Sequence, residues 1–438
     1  MSLHLNASLR GRSFLVCGAA LLGLACVNSV FAAGDALTLE QAQRIALERS
    51  RKLAAQDHAA SASRDMAAAA GQLPDPVLKV GIDNLPVEGP DRYSIARDSM
   101  TMRRIGVMQE FTRADKRHWR AERFVREAEK IQAETAAMAA AIERDTALAW
   151  LDSYYAEATV RLFDEQIAQA RQEVEAAQGA YRGGRGVQAD LVNARSGLAA
   201  LEERAAQARN RVRNAKTMLA RWIGEAAGTA LSGAPDTSSV RLSGAEIEGE
   251  LAHHPQITAL GRQEAIAEAE ARLAEANRQS DWAVEVMFSQ RGPSYDNMIS
   301  VGVSMPLQWD RKNRQDRELS AKLEQLEQAR AERDDALRAH VAEIQAMFNE
   351  WESTRERRAR YERELIPFSR ERSAVVLAAY RGGKAGLADV LAARRNEIDV
   401  RMLALQLDAD IGRLWAQINF LIPASGAASR TMMDKDSK

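Results

Sequence analysis

Ala180-Tyr181-Arg182-Gly183-Gly184-Arg185-Gly186-Val187-Gln188-Ala189-Asp190-Leu191-Val192-Asn193-Ala194-Arg195 returns 199 residues later as Ala379-Tyr380-Arg381-Gly382-Gly383-Lys384-Ala385-Gly386-Leu387-Ala388-Asp389-Val390-Leu391-Ala392-Ala393-Arg394. A second echo, Ile105-Gly106-Val107 against Val301-Gly302-Val303, has an offset of 196. Two halves of nearly equal length therefore share one plan. Repeats of this size are duplicated domains and not the short units of a solenoid. In both copies a helical pattern runs into paired glycines and resumes just beyond them, so each copy is a tight turn between two helices.

Outward from the first turn, residues 116–182 contain no proline and one internal glycine, Gly179. At 1.5 Å per residue such a helix is about 100 Å long. Its apolar residues recur at sevens, as Phe124, Ile131 and Met138 and then, after a slip of phase, Leu148, Tyr155 and Leu162. That spacing predicts coiled-coil packing with a local change of winding. A helix from Thr38 to about Gln72 precedes it and another, from Val187 to Ile223, follows the turn. Together these two match the long helix in length, so they are expected to stack end to end beside it. In the second half helices are expected over about 243–280, 310–382 and from the Gly382-Gly383 turn to about Leu421. Pro367 interrupts the second long helix where the first has Ala168, so the second pair is expected to be the more bent and mobile.

Between first helix and long helix, each half carries two segments alternating with period two. They are Val77–Asn84 and Met100–Phe111, then Trp282–Ser289 and Met298–Leu307. Leu78, Val80 and Ile82 oppose Val77, Lys79, Gly81 and Asp83. Ile105 and Val107 oppose Arg104, Gly106 and Glu110. Trp282, Val284, Val286 and Phe288 oppose Ala283, Glu285 and Ser289. Ile299, Val301, Val303, Met305 and Leu307 oppose Ser300, Gly302 and Ser304. Apolar outside and small or polar inside is the pattern of a transmembrane barrel, and equally of a half-buried soluble sheet. Four strands cannot close a barrel, which needs about eight; a barrel then demands oligomerisation. Met100, Met102 and Met108 fall on the lumen-side face, where structural methionines and a soft-metal site are both readings.

Composition agrees with long packed helices. Aromatics are 5% and charged residues 28%, and ten prolines punctuate 438 residues. The net charge of −1 offers no basic surface for nucleic acid. Residues 1–32 read as a signal peptide, with Arg10 and Arg12 before an apolar run and Val30-Phe31-Ala32 at the cleavage site. A membrane anchor is the other reading, although the run is short for a span. Cleavage leaves a net charge of −3 and removes Cys17 and Cys26, and with them any disulfide framework or thiolate metal site. Gly23-Leu24-Ala25-Cys26 loosely resembles a lipobox, which would lipidate Cys26. Beyond this segment no window holds eighteen uninterrupted apolar residues, so a membrane crossing falls to the strands. The remaining divisions are a first repeat over 33–223, a linker over 224–242, a second repeat over 243–422 and a disordered tail over 423–438.

In these residues the chain resembles the TolC-type outer-membrane factor family over nearly its whole mature length. The specific signal is the duplicated Tyr-x-x-Gly-x5-Asp-Val/Leu-x-x-Ala-Arg turn between long helices. Gly71-Gln-Leu-Pro-Asp-Pro76, with Met102-Arg-Arg-Ile-Gly-Val-Met-Gln-Glu-Phe111, is similar to the heavy-metal branch that includes CzcC and CusC. The resemblance implies a mainly α fold with a transmembrane β-barrel. It implies a homotrimer whose twelve strands cross the outer membrane of a Gram-negative cell in contact with its lipid. A long helical coiled-coil barrel would then cross the periplasm. A periplasmic adaptor and an inner-membrane pump of the resistance-nodulation-division type would be its partners, in a passive efflux duct for heavy-metal cations or, alternatively, for drugs and other small molecules. It places Tyr181, Arg182, Gly183, Gly184, Arg185, Tyr380, Arg381, Gly382, Gly383 and Lys384 at the periplasmic tip where the adaptor docks. It makes Asp190 and Asp389 the carboxylates that narrow the entrance. Ala385 stands where some members carry a basic partner for that latch. A purely structural reading is also open: the glycines end helices and each aspartate complements the dipole of the returning helix.

The sequence carries no G-x-S-x-G, phosphate loop, H-E-x-x-H or dinucleotide fingerprint, so neither an enzyme nor a cofactor is expected. His253-His254 is adjacent and shares no helix face, and His58, His118 and His340 read as isolated surface residues; no metal site is expected. An exported adaptor or structural coiled-coil protein is the main alternative to a channel, with a soluble hydrolase or lyase behind it.

Overall fold

The computed structural model describes residues 36–184, 186–241, 247–252 and 254–421. The expected signal peptide with both cysteines, the tail over 423–438, Arg185 and His253 lie outside the described residues.

Helices α1 (Leu39–Arg49) and α2 (Arg51–Ala70) lead into strands β1 (Val77–Asp83) and β2 (Met102–Phe111), then α3 (Ala114–Arg182) and α4 (Gln188–Ile223). The second half runs α5 (Ile247–Ala252), α6 (Pro255–Ala276), β3 (Trp282–Gln290), β4 (Met298–Ser304), α7 (Gln315–Arg360), a π turn (Tyr361–Leu365), α8 (Ile366–Arg381) and α9 (Leu387–Asn419). The same order of helix, hairpin, long helix and returning helix appears twice. As the lengths imply, α1, α2 and α4 all pack along the 69-residue α3.

The expected single helices break in three places, each for a local reason. The segment over 38–72 divides at Ser50, which takes an extended conformation and turns its hydroxyl to the Leu53 N–H as an N-cap. Thr38 starts α1 with a reciprocal capping box to Gln41. The segment over 243–280 divides before Pro255, which has no N–H to lose at the first position of α6. The second long helix begins at Gln315 and not near 310, and it swells into the π turn just ahead of Pro367. A proline at that point removes a backbone bond and crowds the carbonyl four residues back, and one wide turn accommodates both. β4 ends at Ser304, two residues before Pro306, so Met305 and Leu307 lie beyond the strand. β2 begins at Met102, which leaves Met100 outside it.

The core lies where the helix ends meet. Trp150 of α3 is fully buried among Leu37, Leu39, Ala42, Leu219, Ile223, Ile411 and Ile418. Its indole N–H donates to the Leu37 carbonyl at 3.3 Å. The connection after α4 starts with a 3-10 turn (Gly224–Gly228) and returns along this belt. There Leu37 pairs with Leu231 and the Ser239 carbonyl accepts from Trp415 Nε1 at 3.0 Å. Away from the belt the buried positions are mostly alanine, including Ala128, Ala140, Ala205, Ala208, Ala269 and Ala274. Small side chains let long helices approach closely over many turns.

Candidate functional site: a two-faced sheet and a paired helical tip

The four strands form one antiparallel sheet in the order β1-β2-β3-β4, so the two hairpins of the duplicated halves join through β2 and β3. Residues paired directly across strands share a face. Leu78, Val107, Val286 and Val301 make one row; Val80, Ile105, Phe288 and Ile299 make the next. Every member of both rows is exposed, Val80 at 72% and Val301 at 70%. Contiguous apolar surface of this kind marks a partner that is not water.

The opposite face is chemically different. Lys79 pairs with Glu285, and Arg104 with Asp83 at 2.6 Å. Met102 and Met108 lie on this face. Gly106 lets β2 pass against Met287, because a Cβ there would sit 2.4 Å from the Val286 carbonyl oxygen. The sheet ends at β1 and β4, seven residues each, whose outer edges pair with no other strand among the described residues. No helix among the described residues is long and apolar enough to cross a membrane.

At the other end of the long helices the two repeated turns come together. Ala177 of α3, Leu191 and Ala194 of α4, and Leu387 and Val390 of α9 form one apolar cluster, against which Val376, Leu377 and Tyr380 of α8 pack. The second turn is a Schellman motif: Gly383 is left-handed (φ 74°), its N–H donates to Tyr380 O and the Lys384 N–H to Ala379 O. In the first turn Gly184 takes φ 69° and donates to Tyr181 O. Asp190 and Asp389 both occupy the third position of the returning helix. The Asp389 carboxylate accepts from the Gly386 N–H at 3.0 Å, whereas no such bond holds Asp190 among the described residues. Asp389 is exposed and Asp190 half-buried; Arg182, Arg381 and Lys384 are exposed with both glycine pairs, as is Tyr181.

Above the turns, charged pairs clasp the two halves. Arg394 lies between Glu173 (3.6 Å) and Glu397 (3.0 Å), and Arg401 bonds Glu165 at 3.0 Å. Burial pushes the Glu173 carboxyl up against the opposing pull of Arg394. Next to these pairs, the cleft between α3, α4 and α9 holds about 50 Å³, room for a few waters and not for a substrate.

Two histidines read as unrelated from the sequence are in contact. The His254 and His340 rings lie 4.4 Å apart. His254 Nε2 lies 2.7 Å from the Leu421 carbonyl and its Nδ1 accepts from the Gln256 N–H. Those partners fix the neutral tautomer with the proton on Nε2. Among the described residues no group of three or more His, Cys, Asp or Glu is placed to hold a metal ion. Burial first, and then proximity to His340, push the His254 pKa down to about 4. A group depressed in the fold favours its neutral form, so its contribution is complete above the unfolded value near 6.5 and is lost as pH falls from there toward 4. The expected loss is about 3 kcal/mol. Thermal unfolding of wild type and His254→Gln between pH 7.5 and 4 checks this: wild type should lose more stability than the variant, and parallel curves would contradict it.

No family model matches the sequence, and no curated protein matches it either. Solved structures do share its fold. The outer-membrane channel OprN is 17% identical with a TM-score of 0.72, the match covering 87% of this chain and 89% of that one. VceC, an outer membrane protein of Vibrio cholerae, is 17% identical at TM-score 0.72, with 87% and 95% covered. CusC, described in connection with folding and transmembrane channel formation, is 14% identical at TM-score 0.74, with 87% and 91% covered.

Proposed function

We propose that the chain is one protomer of a homotrimeric outer-membrane channel of the TolC type, the exit duct of a tripartite efflux system. The observation that carries the reading is the sheet. It joins both repeats and sets two continuous apolar rows on one face, with Arg103 and Gln290 at one end of it, against Lys79, Asp83, Arg104 and Glu285 on the other, yet four strands with two open edges cannot enclose a pore. Three copies pairing β4 of one with β1 of the next would give twelve strands, remove every edge and put the apolar rows against lipid. The long helices would then extend through the periplasm. The paired turns at their far end are the proposed docking site for a periplasmic adaptor that couples the duct to an inner-membrane pump.

Asp190 and Asp389 are the proposed entrance carboxylates. Three copies of each close to a common axis repel one another and attract cations. Carboxylates there favour cations, metal ions and cationic drugs alike; heavy-metal ions are the proposed cargo and drugs the alternative, and loss of metal export without loss of drug export in a deletion strain separates the two.

The gate is tested in planar bilayers. Asp190→Asn with Asp389→Asn is expected to weaken cation preference and to change single-channel conductance. Unchanged conductance and selectivity would leave both aspartates as first-turn charges that complement the dipole of the returning helix.

A further inference from the structure

The two hairpins meet their long helices differently. β2 ends at Phe111 and α3 begins at Ala114, but between β4 and α7 the chain spends residues 305–314 outside both elements. The alternation of β4 does not stop with the strand. Ile299, Val301 and Val303 are followed at the same period by Met305, Leu307 and Trp309, all exposed, and Trp309 reaches 88%. This exposure is built in. The Ser280 hydroxyl donates to Pro306 O at 2.6 Å and the Gln308 side-chain amide to Asn277 O at 3.0 Å, which ties the residues on either side of Leu307 to the end of α6. The chain turns at Trp309, whose N–H donates to Leu307 O at 3.1 Å, and the turn closes with the Arg314 N–H donating to Asp310 O and the Asn313 side chain to Asp310 Oδ1.

Immediately beyond the indole stand Arg311, Lys312 and Arg314, all exposed. The acids among them are already engaged. Asp310 receives Asn313, and Asp316 is shared by Arg278 at 2.9 Å and Arg311 at 3.4 Å. Lys312 and Arg314 have no ion-pair partner among the described residues.

We propose that Trp309 with Arg311, Lys312 and Arg314 is a docking site for the phosphate headgroup of an anionic phospholipid, in the membrane leaflet next to the helical end of the sheet. The proposal rests on the reading of the sheet as a lipid-facing barrel wall. An apolar stripe that ends in tryptophan and passes at once into cations has the order of a bilayer edge: acyl chain, interface, charged headgroup. The indole supplies an apolar body and one N–H donor at the level of the ester and phosphate oxygens. The two unpartnered cations supply the charge complement. A neighbouring protomer or the adaptor is the competing occupant of the same surface.

The full-length trimer reconstituted in nanodiscs tests this, with tryptophan fluorescence quenched by brominated phosphatidylglycerol or brominated phosphatidylcholine at equal mole fraction. Wild type is expected to be quenched roughly threefold more by the glycerol lipid, a preference that salt weakens. Trp309→Phe should remove the headgroup-dependent part. Lys312→Gln with Arg314→Gln should keep the quenching and abolish the preference. Equal quenching of wild type and Trp309→Phe would overturn the site while the barrel reading stands. So would dissociation of the Trp309→Phe trimer with its lipid preference intact, which would assign the surface to a protomer contact. A protein that does not enter nanodiscs at all would overturn the barrel reading, and this site with it.

Discussion

Val301→Arg is expected to abolish membrane assembly, whereas Ser300→Arg, one residue away, is expected to permit it. Val301 sits at the middle of β4 and ends the apolar row that runs through Val286, Val107 and Leu78. Ser300 is paired with Met287 on the opposite face. A charge facing lipid near the bilayer midplane costs about 2–4 kcal/mol in a barrel, so three copies cost on the order of 6–12 kcal/mol, comparable to the whole stability of a domain. An arginine facing a watery lumen pays no such desolvation and alters the pore instead. Val301→Arg should therefore leave the outer-membrane fraction and fail to form a heat-resistant oligomer on an unheated gel. Ser300→Arg should assemble with changed conductance. The reverse outcome, or equal tolerance of both, would mean that the apolar face is not the lipid face.

The second large effect is expected at the belt. Trp150→Ala removes the largest fully buried side chain from the cluster joining α1, α3, α4 and α9. It also leaves the Leu37 carbonyl without its indole partner. Truncating a buried tryptophan costs about 3–5 kcal/mol; the Leu37 carbonyl keeps the Ser232 N–H at 3.0 Å, so loss of the indole bond adds little. The belt is where short helices meet beside one long helix, and Trp150 is the largest of its fully buried side chains. Denaturant unfolding should show a midpoint far below wild type for Trp150→Ala and a smaller drop for Trp150→Phe. A wild-type midpoint in the alanine variant would show that the bundle is held elsewhere.

What the sequence disclosed follows from period and punctuation. The strands alternate cleanly because one face is lipid-like and the other is not, so Leu78 to Ile82 and Ile299 to Val303 could be read from their spacing alone. The paired glycines located both tips because a left-handed residue is needed to end each long helix there, at Gly184 and Gly383. The break at Ser50 was hidden because serine also sits inside helices. The break at Pro255 was legible in principle, since proline at a first helical position is a start signal. The π turn before Pro367 was half visible: the proline announces an interruption but not how the backbone absorbs it.

Three features had no signal along the chain. The meeting of both tips over Ala177, Leu191 and Leu387 depends on α9 returning beside α3. The His254–His340 contact joins residues 86 positions apart in sequence. Met305 and Leu307 read as a continuing strand, because the alternation persists after the pairing has ended, and nothing along the chain marked the connection that follows through Trp309. In each case the missing information is tertiary, and periodicity carries only local structure.

The central claim is that one protomer cannot seal a pore and that three share a single cylinder. Native mass spectrometry of the protein extracted from outer membranes in mild detergent measures this most directly. A mass three times that of the processed chain, with no stable monomer unless the complex is denatured, is the expected result. A monomer that remains soluble in buffer without detergent would contradict it.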